Sequence, residues 1–257
     1  MLTQYQTDTN NLLQLPGAPA SLYLPANVTS WINNARGQVA GEARCVRRIG
    51  TLVTSVGVRN YNFSSITFGD AAVAGTIHAR DMLYAVGTGY QYIEPHEWEW
   101  YRLYYFNNPA PDFGAPERWS QFGQGGSGSN ITAGGSGGTS SGSIYIDPPP
   151  DSVYTLNIDC ACYPIPLALD SDPEAIPYLW TDAVPFFAAY YALLSAQTNA
   201  RMQDAQQYYA LYKEFMTRAR MAATSDVVST LYEQVPDLAQ QSKFGMSSPS
   251  RNGGGGQ

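Results

Sequence analysis

The chain of 257 residues reads as an α+β protein: a helical bundle built from the N-terminal and C-terminal helices, an antiparallel β region inserted between them, and a flexible C-terminal tail. Three observations predict this. Apolar residues recur at three- and four-residue steps near both ends, over 27–50 and again over 181–223. Between those stretches apolar and polar residues alternate, the period of a strand with one buried face. Proline and glycine clusters punctuate the same middle region, and neither residue suits a helix interior.

Taken in order, residues 1–26 are rich in Asn, Gln and Thr and read as an extended arm. Val28, Trp31, Ile32, Ala35, Val39, Ala43 and Val46 then share a helical face, with Asn27 or Thr29 as cap. Arg44, Arg47 and Arg48 crowd the expected last turn, where cations complement the helix dipole, and Gly50 ends it. Over 51–59 Leu52, Thr54, Val56 and Val58 alternate with Val53, Ser55 and Arg59, predicting a strand; further short strands are expected over 76–79 and 82–86. Glu94-Pro95 predicts a helix start, with Trp98, Tyr101, Arg102 and Tyr105 on one face and an end near Asn107-Asn108-Pro109.

Residues 143–180 carry the densest pattern. Ile144, Tyr145 and Ile146 form a short strand, and Pro148-Pro149-Pro150-Asp151 withholds ladder hydrogen bonds and forces a turn. Tyr154, Leu156, Ile158, Cys160 and Cys162 then alternate with Thr155, Asn157, Asp159 and Ala161. The two strands are expected to form a hairpin closed on the prolines. Upstream lies Phe113-Gly114-Ala115-Pro116-Glu117-Arg118-Trp119, separated from them by residues 123–143, which hold nine Gly and six Ser. That segment buries too little apolar area to offset its ordering entropy and reads as a disordered loop within the β region. Downstream, Phe186, Phe187, Tyr190, Tyr191 and Leu194 are helical in spacing. Asn199-Ala200 breaks the run, and Tyr208, Leu211, Tyr212, Phe215 and Ala219 resume it. The expected organisation is an arm over 1–26, a bundle from 27–50 and 181–223, an inserted β region over 51–180, and a tail over 224–257 whose polar, Gly-rich end cannot fold alone.

Composition points to assembly. Charged residues are 14% of the chain, against about 25% in an average globular protein. The 19 tyrosines match interface cores, which are depleted in charge and enriched in Tyr, Trp, Phe and Arg. The net charge is −7, and the acid is concentrated over 51–180, where thirteen Asp and Glu face four Arg. Sequence-specific nucleic-acid recognition, which needs a basic stripe, is not expected. The three cysteines read as small buried hydrophobes kept reduced in a cytoplasm. The N-terminus does not read as a secretory signal. No apolar run approaches the ~20 residues that span a bilayer, so no membrane association is expected and the protein reads as soluble.

Catalytic patterns are equally sparse. Glu94, Glu97 and Glu99 read as an acidic first turn rather than paired hydrolytic carboxylates. His96 lacks a second histidine at helical zinc spacing. The chain contains no P-loop and no nucleophile elbow. Asp170, Asp172 and Glu174 lack calcium-loop spacing and read as a solvated acidic turn. No catalytic, cofactor or metal residue is expected.

The order of these elements (a Gly-x-Pro-x-x-aromatic stretch at 114–119, a short strand, a proline turn, an alternating strand, a proline-rich exit, and a helix rich in Ala and Tyr) resembles the head-to-tail adaptor proteins of tailed, especially short-tailed, bacteriophages, roughly over residues 22–232. The resemblance implies a virion protein made in the host cytoplasm. It implies a ring of about twelve copies docked on the portal protein and joining it to a tail tube, nozzle or fibre protein. Genomic DNA would pass through the ring without sequence-specific binding, and residues 224–257 would dock on the portal. A different neck, tail-completion or fibre-attachment protein is the alternative, and a tail-borne hydrolase a further one. DNA must not stick to the channel, so the arginines of the first and last helices, Arg36, Arg44, Arg47, Arg48, Arg218 and Arg220, are expected at subunit or portal interfaces. Tyr191 and Tyr209 join them because the tyrosines occupy more than one helix face, as do Val228, Leu231 and Tyr232 of the tail.

Overall fold

A computed structural model describes residues 1–14, 23–86, 89–107, 112–123, 142–195 and 201–225. The polar N-terminus is a helix, α1 (Leu2–Leu12), rather than an extended arm. Leu2, Tyr5, Thr9 and Leu13 recur at helical spacing and are buried. The closing carbonyls find donors far along the chain: Tyr208 donates to Leu12 O at 2.8 Å and Arg201 to Leu13 O at 2.8 Å. At the other end the terminal ammonium pairs with Asp170 at 2.7 Å.

Helix α2 (Pro25–Ala43) starts on proline and buries Val28, Trp31, Ile32, Ala35, Val39, Ala40 and Ala43 along one stripe. It ends before Gly50: Arg44 is left-handed, with φ 52°, and its N–H bonds Ala40 O. Arg47 and Arg48 therefore stand in β1 (Arg47–Val53), not in a helical last turn. Gly50 is a strand residue, where a Cβ would lie 2.4 Å from Ile66 Cγ2.

Among the described residues nine strands build two sheets. The remaining ones are β2 (Asn60–Asn62), β3 (Thr67–Phe68), β4 (Val73–Val86), β5 (Gly89–Tyr92), β6 (Glu94–Pro95), β7 (Arg118–Phe122), β8 (Ser143–Asp147) and β9 (Thr155–Pro164). The larger sheet runs β3-β1-β9-β4-β5 and the smaller β2-β8-β7-β6. All pairings are antiparallel except the short β6–β7 ladder. The expected hairpin over 143–164 does not form. β8 pairs with β2 and β7, whereas β9 lies between β1 and β4, so the prolines carry the chain from one sheet to the other. The strands expected over 76–79 and 82–86 are one strand, β4, bent by register shifts. Residues 54–59 are a loop, not a strand; Tyr61 Oη accepts from Ser55 N at 2.9 Å and donates to Val58 O at 2.9 Å. Glu94-Pro95 is strand, and α3 (Trp98–Asn107) starts three residues later.

Helices α4 (Ala183–Ser195) and α5 (Met202–Ser225) pack on each other and on α2. Ring pairs Phe186–Phe215, Phe187–Tyr212 and Tyr190–Tyr209 climb one helix as they descend the other, so the pair is antiparallel. The break expected at Asn199-Ala200, the interior of the Gly/Ser loop and the tail beyond Ser225 lie outside the described residues. Helices and both sheets share one core, in which Ile32, Val39, Leu156, Ile158, Cys160, Ala188 and Tyr212 are each fully buried. Among the described residues no helix is long and apolar enough to cross a membrane.

Candidate assembly surfaces

The arginines expected at interfaces divide once placed. Arg36 is inside the protein, 1% exposed. Its Nε and Nη2 donate to both oxygens of Glu174 at 3.0 and 2.8 Å, and Nη1 donates to Ile165 O at 2.6 Å. Glu174 is thereby removed from the solvated acidic turn; its side chain is 8% exposed. A guanidinium at that depth needs a fork-shaped acceptor, and Glu174, 138 residues away, supplies it.

Arg47 pairs with Asp159 across the β1–β9 ladder, and Arg48 pairs with Asp70. Arg59 pairs with the buried Asp147, which Arg118 also approaches at 3.8 Å. On α5, Arg218 pairs with Glu214 one turn back. Arg220 and Lys213 both reach Glu42 of α2, at 3.0 and 3.2 Å. Burial alone would raise the Glu42 carboxyl; hydrogen bonds from Gln38 and Lys213 and the nearby charges of Lys213 and Arg220 outweigh it and hold Glu42 below its ordinary value. Arg44 remains exposed at the end of α2.

Of the tyrosines, Tyr191 is exposed on α4 and stacks on Phe187 at 6.3 Å. Tyr209 is half-buried against Tyr190, with Lys213 Nζ 5.1 Å from its ring centre. Val228, Leu231 and Tyr232 lie outside the described residues.

The largest apolar exposures were not among the residues singled out. Ile49, 71% exposed, and Val53 project from the outer face of the larger sheet, and the register β1–β9–β4–β5 continues that face to Leu83 and Tyr92. Tyr178 and Leu179, 81% and 73% exposed, lead into α4. Trp100 and Leu103 project from α3. Sequence carried a signal for the first of these. Ile49 and Val53 oppose Leu52 by parity, so β1 is apolar on both faces, a pattern of strands covered on two sides.

Some of the side chains weighed for chemistry make structural contacts instead. Asp172 accepts from Ala168 N and Leu169 N at 2.7 Å each. His96 stacks on Trp100 at 4.0 Å. Among the described residues no group of His, Cys, Asp and Glu could hold a metal ion. The cysteines are free thiols, and burial pushes Cys45 up to about 11 and Cys160 up to about 12. Thiols so hard to ionise are poor nucleophiles.

Large apolar side chains thus stand exposed on several outer faces of the packed chain, and patches of that kind commonly mark contact sites. No match to a curated protein was found. The model of the SU10 adaptor protein family matches residues 3–234, which include, among the described residues, all nine strands and, but for Leu2, all five α-helices. The chain belongs to the SU10 adaptor protein family and is a phage structural adaptor protein.

Proposed function

We propose that the chain is the head-to-tail adaptor of a tailed phage. About twelve copies form a ring under the portal, join it to a tail tube, nozzle or fibre protein, and surround the path of the genome. The family match over residues 3–234 carries this reading. Two features support it. Large apolar side chains stand exposed on the outer sheet face, on α3 and before α4, although the core is complete without them. The net charge of −7 suits a conduit through which a polyanion slides without being held. Residues 224–257 dock on the portal. Electron microscopy of the protein mixed with purified portal tests this. The expected image is an added ring with portal symmetry, lost when the chain is cut after Ser225. A protein found at tail fibres, or at a few copies per particle, would refute it.

A further inference from the structure

Three loops far apart in sequence meet at one end of the larger sheet. Residues 54–58 follow β1, residues 112–117 precede β7, and residues 148–154 join β8 to β9. Backbone hydrogen bonds tie them together: Thr54 N donates to Tyr154 O at 2.8 Å, Gly57 N to Pro150 O at 2.8 Å and Gly114 N to Pro149 O at 3.0 Å, while Asp151 N donates to Gly114 O at 3.2 Å. Tyr154 N donates in turn to Thr54 Oγ1 at 2.8 Å. Gly57 is left-handed, with φ 75°, and the Phe113 ring lies over it, where an added Cβ would come within 3.2 Å of Cε1. Loops cross-tied in this way are ordered before any partner arrives.

What they present is apolar. Phe113 and Val153 are 62% and 65% exposed, and Val56 and Val58 are exposed with them. None of the four belongs to the core, so internal packing does not call for large apolar side chains there. The charge around them has one sign: the three loops carry Asp112, Glu117 and Asp151, all exposed, and no Lys, Arg or His. The loops also lie at the end of the β1–β9 ladder away from α2. β1 follows α2 and starts with Arg47 opposite Ala161, and the ladder runs to Val53 opposite Thr155, about 20 Å further along. Arg220 of α5 donates to Glu42 O at 3.0 Å, so residues 224–257 follow a helix anchored at the first of these ends.

We propose that Phe113, Val56, Val58 and Val153 form a preordered knob that docks in an apolar pocket, rimmed by Lys or Arg, on the tail-side protein of the head-to-tail junction. The proposal rests on the adaptor reading above. Side chains already held in place gain by burial and lose little freedom on docking. The three carboxylates beside them select a cationic rim. Phosphate-bearing surfaces fit less well, because neither nucleic acid nor an anionic membrane would meet a cation on these loops.

The test is phage particles assembled with Phe113→Asp/Val153→Asp as their only adaptor. They should keep the adaptor on the portal at wild-type copy number and end at it in electron micrographs, with the tail-side protein reduced about tenfold or more on gels. Asp112→Lys/Glu117→Lys should lower tail attachment in the same way. Unchanged melting curves of the purified variants confirm folding, and Phe113→Ser/Val153→Ser replaces the first variant if it unfolds. Full tails on either variant overturn the proposal and leave the adaptor reading standing. Particles that lack the adaptor also overturn it, because the loops would then serve contacts between copies or with the portal. A wild-type chain located away from the head-to-tail junction overturns the adaptor reading and the knob with it.

Discussion

Removing Arg36 should be among the most damaging single changes to this protein. Its guanidinium is 1% exposed and saturates both oxygens of Glu174 and the carbonyl of Ile165, with Asn33 Oδ1 at 3.2 Å as a further acceptor. Glu174 Oε1 also accepts from Ile176 N at 2.9 Å, so one carboxylate ties α2 to the segment before α4. Arg36→Ala leaves that carboxylate buried without its counter-charge, and such a loss costs about 3–5 kcal/mol. Arg36→Met with Glu174→Leu removes both charges together. It should recover most of that loss, short of about 1 kcal/mol for each of the two backbone groups, Ile165 O and Ile176 N, left without a partner. Urea unfolding of wild type, both single variants and the double variant at pH 7 gives the complete cycle. A loss below about 1 kcal/mol for Arg36→Ala would refute the reasoning, because only a solvent-exposed pair is worth so little.

Replacing residues 124–141 by Asn-Gly should leave the melting temperature within a few degrees of wild type: Phe122 and Ser143 are cross-strand partners, so the joined ends already lie together, and shortening the connection favours folding by about 1 kcal/mol. Loss of folded protein would show that the segment is structural. Stability should fall as pH drops below about 6.5, since burial holds His78 below its ordinary value and the unfolded chain takes up the proton first. His78→Gln should flatten that part of the urea-midpoint profile, and an unchanged slope would exclude His78 as its source. A thiol reagent should label Cys160 and Cys162 only after unfolding, because both are fully buried and burial raises both thiols; rapid labelling of native protein would contradict the packing of β9.

Sequence alone determined whatever depends on neighbours a few residues away. The stripe from Val28 to Ala43 and the alternation of β9 are local periodicities that reappear as buried residues; α4 is helical as its spacing predicts, but it buries Ala183, Val184, Ala188, Ala189, Ala192 and Leu193 and leaves Phe186, Phe187 and Tyr190 half-buried and Tyr191 and Leu194 exposed. The adaptor family was legible for the same reason, since the order of such elements survives along the chain. Only the tertiary structure decided which strands pair. Residues 143–164 satisfy hairpin chemistry locally, yet β8 pairs with β2 and β7 while β9 pairs with β1 and β4, in two different sheets, and of these partners β1, β2 and β4 lie far upstream. It likewise ended α2 at Ala43, because Arg47 and Arg48 find carboxylates at Asp159 and Asp70 that no local pattern announces. The polar N-terminus folded as a helix whose last carbonyls accept from Tyr208 of α5 and from Arg201 just before it. Arg36 is the sharpest case: at the surface it would be an interface charge, and a bidentate acceptor 138 residues along the chain places it in the core instead. Periodicity tells a side chain which way to point, but an ion pair or a ladder needs the identity of the partner, and that partner is brought near only by the folded chain.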